Sequence, residues 1–331
     1  MTTYKGIQGN RVQSLASDPP ASVGLGQLWY NSASNVWKVG REVTAWVSGG
    51  TTNTVRTGGA GFGALAAAQG MSGASGGPTT YTLNSEQYDG TSWTEVANML
   101  TARRSLGAVG TQTAGIAFGG KIQPPNAPTD KTESWNGSSW TEVTAMNTGR
   151  EICPLGAVST AALAVGGPPT VTPQALTEEW DGTSWSAAGA LVDGRNFQKL
   201  ACGTTTAGLA VAGDNNPASP RDTTNCEEYN GTAWAEVNNC INARRDGAAV
   251  GTQTSAISYG GNNLTVNPIP NSEEYDGTSW SNTASSPANP QLGIFSNMGG
   301  VSNAGLQITG ELSNIVEEYA LGSVVKTVTT S

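Results

Sequence analysis

The chain has 331 residues, enough for two average domains or one large all-β domain, and carries 16 Lys and Arg against 25 Asp and Glu for a net charge of −9. Gly numbers 44, nearly twice the usual share of about 7%, while charged residues are 12%, about half the usual ~25%. There is no histidine, which excludes Ser-His-Asp and Cys-His catalysis, His-ligated zinc, copper and haem, and an imidazole pH switch.

In chain order, the opening MTTYKGIQGNRVQSLASDPP lacks the apolar core of a secretory signal. The longest apolar stretch, around Gly63–Ala68, falls far short of the ~18 residues of a membrane span. A soluble protein made in the cytoplasm is expected, free to leave the cell by another route. Gly26–Val39, GQLWYNSASNVWKV, reads as a small hairpin with an Asn-Ser turn between strands bearing Trp29, Tyr30 and Trp37. Residues 1–45 contain no copy of the repeat that follows and are expected to be a leader that attaches the protein to something larger.

From residue 46 onward a repeat governs the chain. The pattern E-x-[YW]-[DN]-G-[TS]-x-W begins at Glu86, Glu133, Glu178, Glu227 and Glu273, and a sixth copy at Glu317, EEYALGSVV, has lost the Asp-Gly and the Trp. The Glu positions step by 47, 45, 49, 46 and 44 residues. Arg56, Arg103, Arg150, Arg195 and Arg244 each follow a Trp by ten residues: Trp46, Trp93, Trp140, Trp185 and Trp234. After Trp280 that position is Pro290. A third marker is a small-residue strand ending in Gly-Gly: Gly76-Gly77, Gly119-Gly120, Gly166-Gly167 and Gly260-Gly261, with Ala212-Gly213 in the fourth unit and only Gly310 in the sixth.

Within one unit, Leu106–Val109 and Gly115–Phe118 flank Gly-Thr-Gln-Thr, and Glu133–Trp135 and Ser139–Val143 flank Asn136-Gly137. That is two hairpins, hence four short strands, the second pair joined by residues that accept positive φ. Small-residue strands suit a crowded axis, and the Tyr/Trp pair of each unit is large enough to fill the space between units. Four strands every ~46 residues, with no 3.6-residue periodicity, predict an all-β propeller without helix.

An Arg, a small-residue strand ending in Gly-Gly, a variable loop and an aromatic shortly before a Trp resemble the kelch repeat over residues 46–331. The resemblance implies a six-bladed kelch-type β-propeller. Either the Trp46 segment or the segment around Val325, where a sixth Trp would stand, completes the ring, and Trp46 is the favoured one. The Thr/Asn/Ser/Gly-rich repeats, the GQLWYNS leader and the TVTTS ending resemble kelch-like proteins of tailed bacteriophages. That implies a virion component: a tail fibre or tail-associated adhesin, or a capsid decoration protein.

No residue set stands out as catalytic, cofactor-binding or metal-binding. The Asp-Gly-Thr-Ser-Trp box departs from the sialidase S-x-D-x-G-x-x-W spacing, so Asp89, Asn136, Asp181, Asn230 and Asp276 read as turn residues. The repeated carboxylates occur in every unit, whereas a catalytic pair is unique. The first Glu is expected to meet the blade Arg and the second to be solvated. Kelch-type oxidases hold copper partly through His, which this chain lacks. The glycines of 58–77 have no strand–helix context for a nucleotide loop. Cys153, Cys202, Cys226 and Cys240 are 49, 24 and 14 residues apart, form no CxxC and read as reduced core residues.

What differs between units lies between the Gly-Gly and the Glu: residues 78–85, 121–132, 168–177, 214–226 and 262–272. These segments emerge on one face and carry Asn126, Asp130, Asn215, Asn216, Arg221, Asn262, Asn263 and Asn267 as candidate binding residues. The expected function is non-enzymatic display of loops to other virion proteins and to a host-surface glycan or protein. Nucleic acid and membrane insertion are not expected of an acidic chain without a basic cluster. A cytoplasmic kelch-type scaffold and an enzyme acting on polysaccharide are the rival readings. The location expected is the virion.

Overall fold

A computed structural model describes residues 13–15, 28–33, 36–48, 50–64, 67–75, 77, 79–167, 175–196, 200–215, 222–263, 265–266, 269–283, 285, 304–308 and 316–327, with the backbone for the strands before residue 50 and after residue 300. The chain divides into two compact units, Met1–Ala45 with Leu321–Ser331, and Trp46–Ala320. The division places the last residues with the leader, not with the repeats.

Five four-stranded antiparallel sheets make up the repeat unit, and no helix occurs among the described residues. The first blade is Ala60–Ala64, Ala67–Met71, Ser85–Tyr88 and Trp93–Val96. The second is Gly107–Thr111, Ala114–Phe118, Thr132–Trp135 and Trp140–Val143. The third is Cys153–Val158, Ala161–Val165, Thr177–Trp180 and Trp185–Ala188. The fourth is Ala201–Thr204, Ala207–Asp214, Asp222–Tyr229 and Trp234–Val237. The fifth is Ala248–Thr252, Ser255–Tyr259, Ser272–Tyr275 and Trp280–Thr283. First strands of successive blades pack against one another in order, so they stand innermost. Burial declines outward: the second strand of the second blade has four consecutive buried residues, the third strand three of four, and the fourth strand only its Trp.

The repeat predicts six four-stranded blades, and the described residues form five. The sixth copy has Ala320-Leu321 where the others have Asp-Gly or Asn-Gly. Without that turn its strand does not fold back but runs on as the 12-residue Val316–Thr327. This strand pairs antiparallel with Ala304–Ile308 and belongs to a five-stranded sheet ordered Gln13–Leu15, Leu28–Asn31, Val36–Ser48, Val316–Thr327, Ala304–Ile308. Leu28–Asn31 and Val36–Ser48 form a hairpin with Leu28 opposite Val39 and Asn31 opposite Val36. The side chains of Trp29, Trp37, Trp46 and Glu317 lie outside the described ones.

The aromatic markers weld blade to blade. Within a blade the pair sits across two strands, as Tyr88 with Trp93 at 5.0 Å and Trp135 with Trp140 at 5.3 Å between ring centroids. Trp140, Trp185, Trp234 and Trp280 also reach the preceding blade or its connector. Trp140 packs 6.3 Å from Phe62, and Trp185 packs 4.8 Å from Phe118. The indole N–H of Trp185 donates to Thr132 Oγ1 at 3.0 Å, and that of Trp234 to Thr177 Oγ1 at 3.2 Å. Such pairs add about 0.5–1.5 kcal/mol each beyond the area they bury.

The Gly-Gly marker proves to be a second weld. Its first residue is left-handed in each of the five blades: Ser72, Gly119, Gly166, Ala212 and Gly260, with φ from 53° to 64°. Its second residue turns the chain onto the next blade. Gly73, Gly120, Gly167 and Gly213 donate their N–H to the carbonyls of Arg103, Arg150, Arg195 and Arg244 at 2.8, 2.8, 3.1 and 2.9 Å. The first-blade member is therefore Ser72-Gly73, not Gly76-Gly77. Ser at the first position hid it in the sequence.

Candidate binding face

In four antiparallel strands, the loops between strands two and three share one end with the connectors that enter the next blade. The tight turns share the other end. The two ends are built differently.

At the connector end, each blade carries one buried clamp. Arg56 pairs with Glu86, Arg103 with Glu133 at 3.0 Å, Arg150 with Glu178, Arg195 with Glu227, and Arg244 with Glu273 at 2.6 Å. All ten side chains are buried. Each carboxylate also accepts two backbone N–H groups of the connector, from Asn53 and Thr54, Leu100 and Thr101, Asn147 and Thr148, Val192 and Asp193, or Ile241 and Asn242. In the second blade the guanidinium also binds carbonyls: Arg103 Nη1 donates to Gly119 O at 3.1 Å and Lys131 O at 2.7 Å. Burial pulls the Arg56, Arg103 and Arg150 guanidinium groups down from their ordinary value, and the facing Glu pulls them back up. Burial likewise pushes Glu227 up, against the pull of Arg195. With every carboxylate buried and fully bonded, the repeated Glu is closed to an external substrate and acts as the rivet that shapes the connector.

In the three pairs with described side chains the second carboxylate is not solvated as expected. Glu179, Glu228 and Glu274 are half-buried, because the outer strands of neighbouring blades stand close. Glu228 accepts the hydroxyl of Tyr275 from the next blade at 3.0 Å, which together with burial drives the tyrosine above its usual range.

On these clamps rest the variable loops, of which 168–174 in the third blade lies outside the described residues. In the first blade Arg104 lies over the Tyr81 ring at 5.8 Å. In the second, Lys121–Ile122 pairs with Ala127–Pro128 into a small hairpin whose tip holds exposed Asn126. Asp130, also exposed, follows it, and Lys121 faces Glu151 at 3.8 Å. In the fourth, the second and third strands are eight residues each, longer than the four or five of the other blades, with Asn215 partly exposed where the second strand ends. There Arg245 from the next connector binds Asp222 at 3.0 Å. Asn216, Arg221 and Asn267 lie outside the described residues. Asn262 and Asn263 are half-buried and spend their amides internally: Asn262 donates to Asp246 at 3.3 Å and Asn263 to Ala243 O at 2.9 Å, while Asn263 Oδ1 caps Thr265 and Val266. They shape the fifth loop and do not project from it.

Sequence reading passed over the apolar component of this face. Leu100 and Val192 are each 55% exposed and Ile241 is 49% exposed, each one residue past a buried anchor at Met99, Leu191 or Cys240. Leu83, Leu176 and Val266 are exposed in the loops. The signal was present: an apolar residue recurs fourteen positions after Glu86, Glu178 and Glu227.

The turn end is uniform. Asp89, Asn136, Asp181, Asn230 and Asp276 each use Oδ1 to cap the two N–H groups that close a four-residue loop, between 2.7 and 2.9 Å. Only the Gly that follows takes a positive φ, between 89° and 98°. Gln112 and Gln253 reach back from the other turns of their blades to carbonyls of the preceding blade. The N–H of Ser184 and the hydroxyl and N–H of Thr183 hold the Asp181 carboxyl at about 2, and Asp89 and Asp276 are lowered in the same way. A folded-state value below the ordinary 3.8 means that this stabilisation is complete above that value and is lost as pH falls through about 2. A carboxyl-detected NMR titration is expected to give Asp181 a midpoint near 2; an ordinary midpoint would show the turn unformed. The Asn136 and Asn230 turns carry no such dependence.

Among the described residues no group of three or more Cys, Asp and Glu is placed to hold a metal ion. No protein-family model and no curated protein matches the chain. A solved structure titled "Structure of YjhT" is similar, with a TM-score of 0.64 at 13% sequence identity, covering 83% of this chain and 98% of that one. The fold is a β-propeller. At that identity the likeness concerns the fold alone.

Proposed function

We propose that the chain is a six-bladed, kelch-type propeller of a tailed-bacteriophage virion, a non-enzymatic tail fibre or tail-associated attachment protein. The observation that carries this reading is the contrast between its two ends. One end repeats the same Asx-capped turn five times, whereas the other mounts segments that differ in length and sequence on five recurring buried clamps. Constant clamps with variable loops are how a rigid scaffold presents a recognition surface. The loop end supplies Asn, Asp, one Arg–Tyr stack and scattered aliphatics, which suits many shallow contacts to a glycan or protein; useful strength then comes from many copies acting together. Other virion proteins are the second class of partner, reached through residues 1–45.

The sixth blade would be built from both ends of the repeat. Loss of the Asp-Gly turn removes the local route to a fourth strand, and in the five-stranded sheet Val36–Ser48, which contains Trp46, follows Val316–Thr327. That order supports Trp46 over the Val325 segment as the closing strand.

Replacing 215–221 and 262–271, the parts of the fourth and fifth variable segments that lie between strands, by short Gly/Ser turns is expected to reduce binding to host cells at least tenfold while leaving the melting temperature within a few degrees. Deleting residues 1–40 is expected to leave a folded propeller that no longer enters particles. Unchanged attachment of the loop-swapped protein would move the working surface to the Asx-turn end.

A further inference from the structure

We propose that Cys226 and Cys240 form a redox-modification site: a dithiol that closes to a disulfide and ties the third strand of the fourth blade to the connector entering the fifth. Cys226 opens the part of the third strand that faces Val237, and Cys240 lies three residues beyond that partner. The Cys240 N–H donates to Thr224 O at 3.0 Å, which brings the connector back against the strand. Both sulfurs then approach that same carbonyl oxygen, Cys226 Sγ at 3.5 Å and Cys240 Sγ at 3.4 Å. The two thiols are near enough to shift each other's titration, Cys226 downward and Cys240 upward.

The repeat shows that this pairing belongs to one blade. The residues in the same two positions are Ser85 and Met99, Thr132 and Met146, and Thr177 and Leu191. Those blades close with a hydroxyl residue and a Met or Leu at these positions, so the fold itself does not call for two thiols. Cys153 and Cys202 lie in the same core, on the first strands of the third and fourth blades. Burial, with the neighbouring Cys226 adding to it, pushes the Cys202 thiol up to about 12, which makes it inert. Cys226 is drawn the other way, by the neighbouring Cys240 first and by the Arg195 guanidinium among the smaller causes. It is therefore the attacking sulfur.

Access runs through the connector. Exposed Ile241 adjoins Cys240, and beyond Thr224 the segment is held by bonds from Ile241 N and Asn242 to Glu273. Local opening there uncovers both thiols without unfolding the blade. With a disulfide oxidant such as oxidised glutathione, the Cys226 thiolate attacks one sulfur, forms a mixed disulfide and releases one glutathione thiolate. The Cys240 thiolate then attacks Cys226 Sγ, breaks the mixed disulfide and releases the second. The protein dithiol loses two electrons and two protons, and both glutathione thiolates take up the protons.

The test uses the full folded chain, incubated with oxidised glutathione in mildly alkaline buffer, then alkylated in denaturant and mapped by mass spectrometry. Alkylatable thiols are expected to fall from four to two, with one cross-link joining the peptides of Cys226 and Cys240, and the melting temperature to rise by several degrees. Four alkylatable thiols after exposure, a stable glutathione adduct without the cross-link, or a cross-link between Cys153 and Cys202 would each overturn the assignment. Because the mapping is done on the natural chain, the result does not depend on whether a Cys226→Ser variant folds.

Discussion

Replacing Glu133 by alanine is expected to destabilise the propeller by about 3–5 kcal/mol, the usual consequence of leaving one partner of a buried ion pair alone. Arg103 would keep its bonds to Gly119 O and Lys131 O but lose the carboxylate it pairs with. Burial, which already pulls its guanidinium down, would act unopposed by Glu133. The N–H groups of Leu100 and Thr101, now 2.8 and 3.2 Å from the carboxylate, would lose their acceptor as well. Glu133→Gln should recover about half of the loss, because the amide oxygen still accepts a backbone N–H. The double change Arg103→Met with Glu133→Leu distinguishes a clamp from a simple pair. An isolated buried pair is often replaced by apolar residues at little cost. Here four backbone groups depend on the pair, so the double variant should remain at least about 2 kcal/mol below the parent. Urea denaturation of the three variants measures this, and a double variant as stable as the parent would reduce the clamp to a space-filler.

That clamp was the part of the molecule most open to sequence reading. Arg103 and Glu133 recur in step because each blade must bury both, so their spacing alone announces the pairing. The two Trp-centred contacts were legible for the same reason, since an aromatic in every unit has the same neighbours in every unit. Other features were not. The left-handed residue before Gly73 is a Ser, and the one before Gly213 an Ala, so only the hydrogen bonds to Arg103 and Arg244 identify them as the same device. The depth of Glu228 depends on how closely the outer strands of two blades stand, a distance that no local pattern encodes. The loops were recognisable as variable, but variability does not say which Asn points outward. Asn126 does, whereas Asn262 and Asn263 turn their amides inward to Asp246 and Ala243.

The sharpest contrast between neighbouring positions is expected at Gly166 and Gly167. Gly166 has φ 59°, the conformation that Ser72 and Ala212 adopt in their own blades at 56° and 53°. Gly166→Ala should therefore cost only the left-handed penalty of about 1–2 kcal/mol. Gly167 has φ 80°, and a Cβ there would stand 1.7 Å from the carbonyl oxygen of Glu151 and 2.7 Å from its carbonyl carbon. Both are backbone atoms, so no side chain can swing away to make room. The connector carrying Glu151 would have to move, and with it the bond from Gly167 N–H to Arg195 O that joins the third blade to the fourth. Strain of about 1–3 kcal/mol and overpacking of about 1–3 kcal/mol add to the loss of that bond. Gly167→Ala should thus cost about 3–6 kcal/mol, several times the cost of the same substitution one residue earlier. Parallel urea melts of the two variants give the comparison, and equal losses would mean that the blade-to-blade contact seen at Gly167 does not persist in solution.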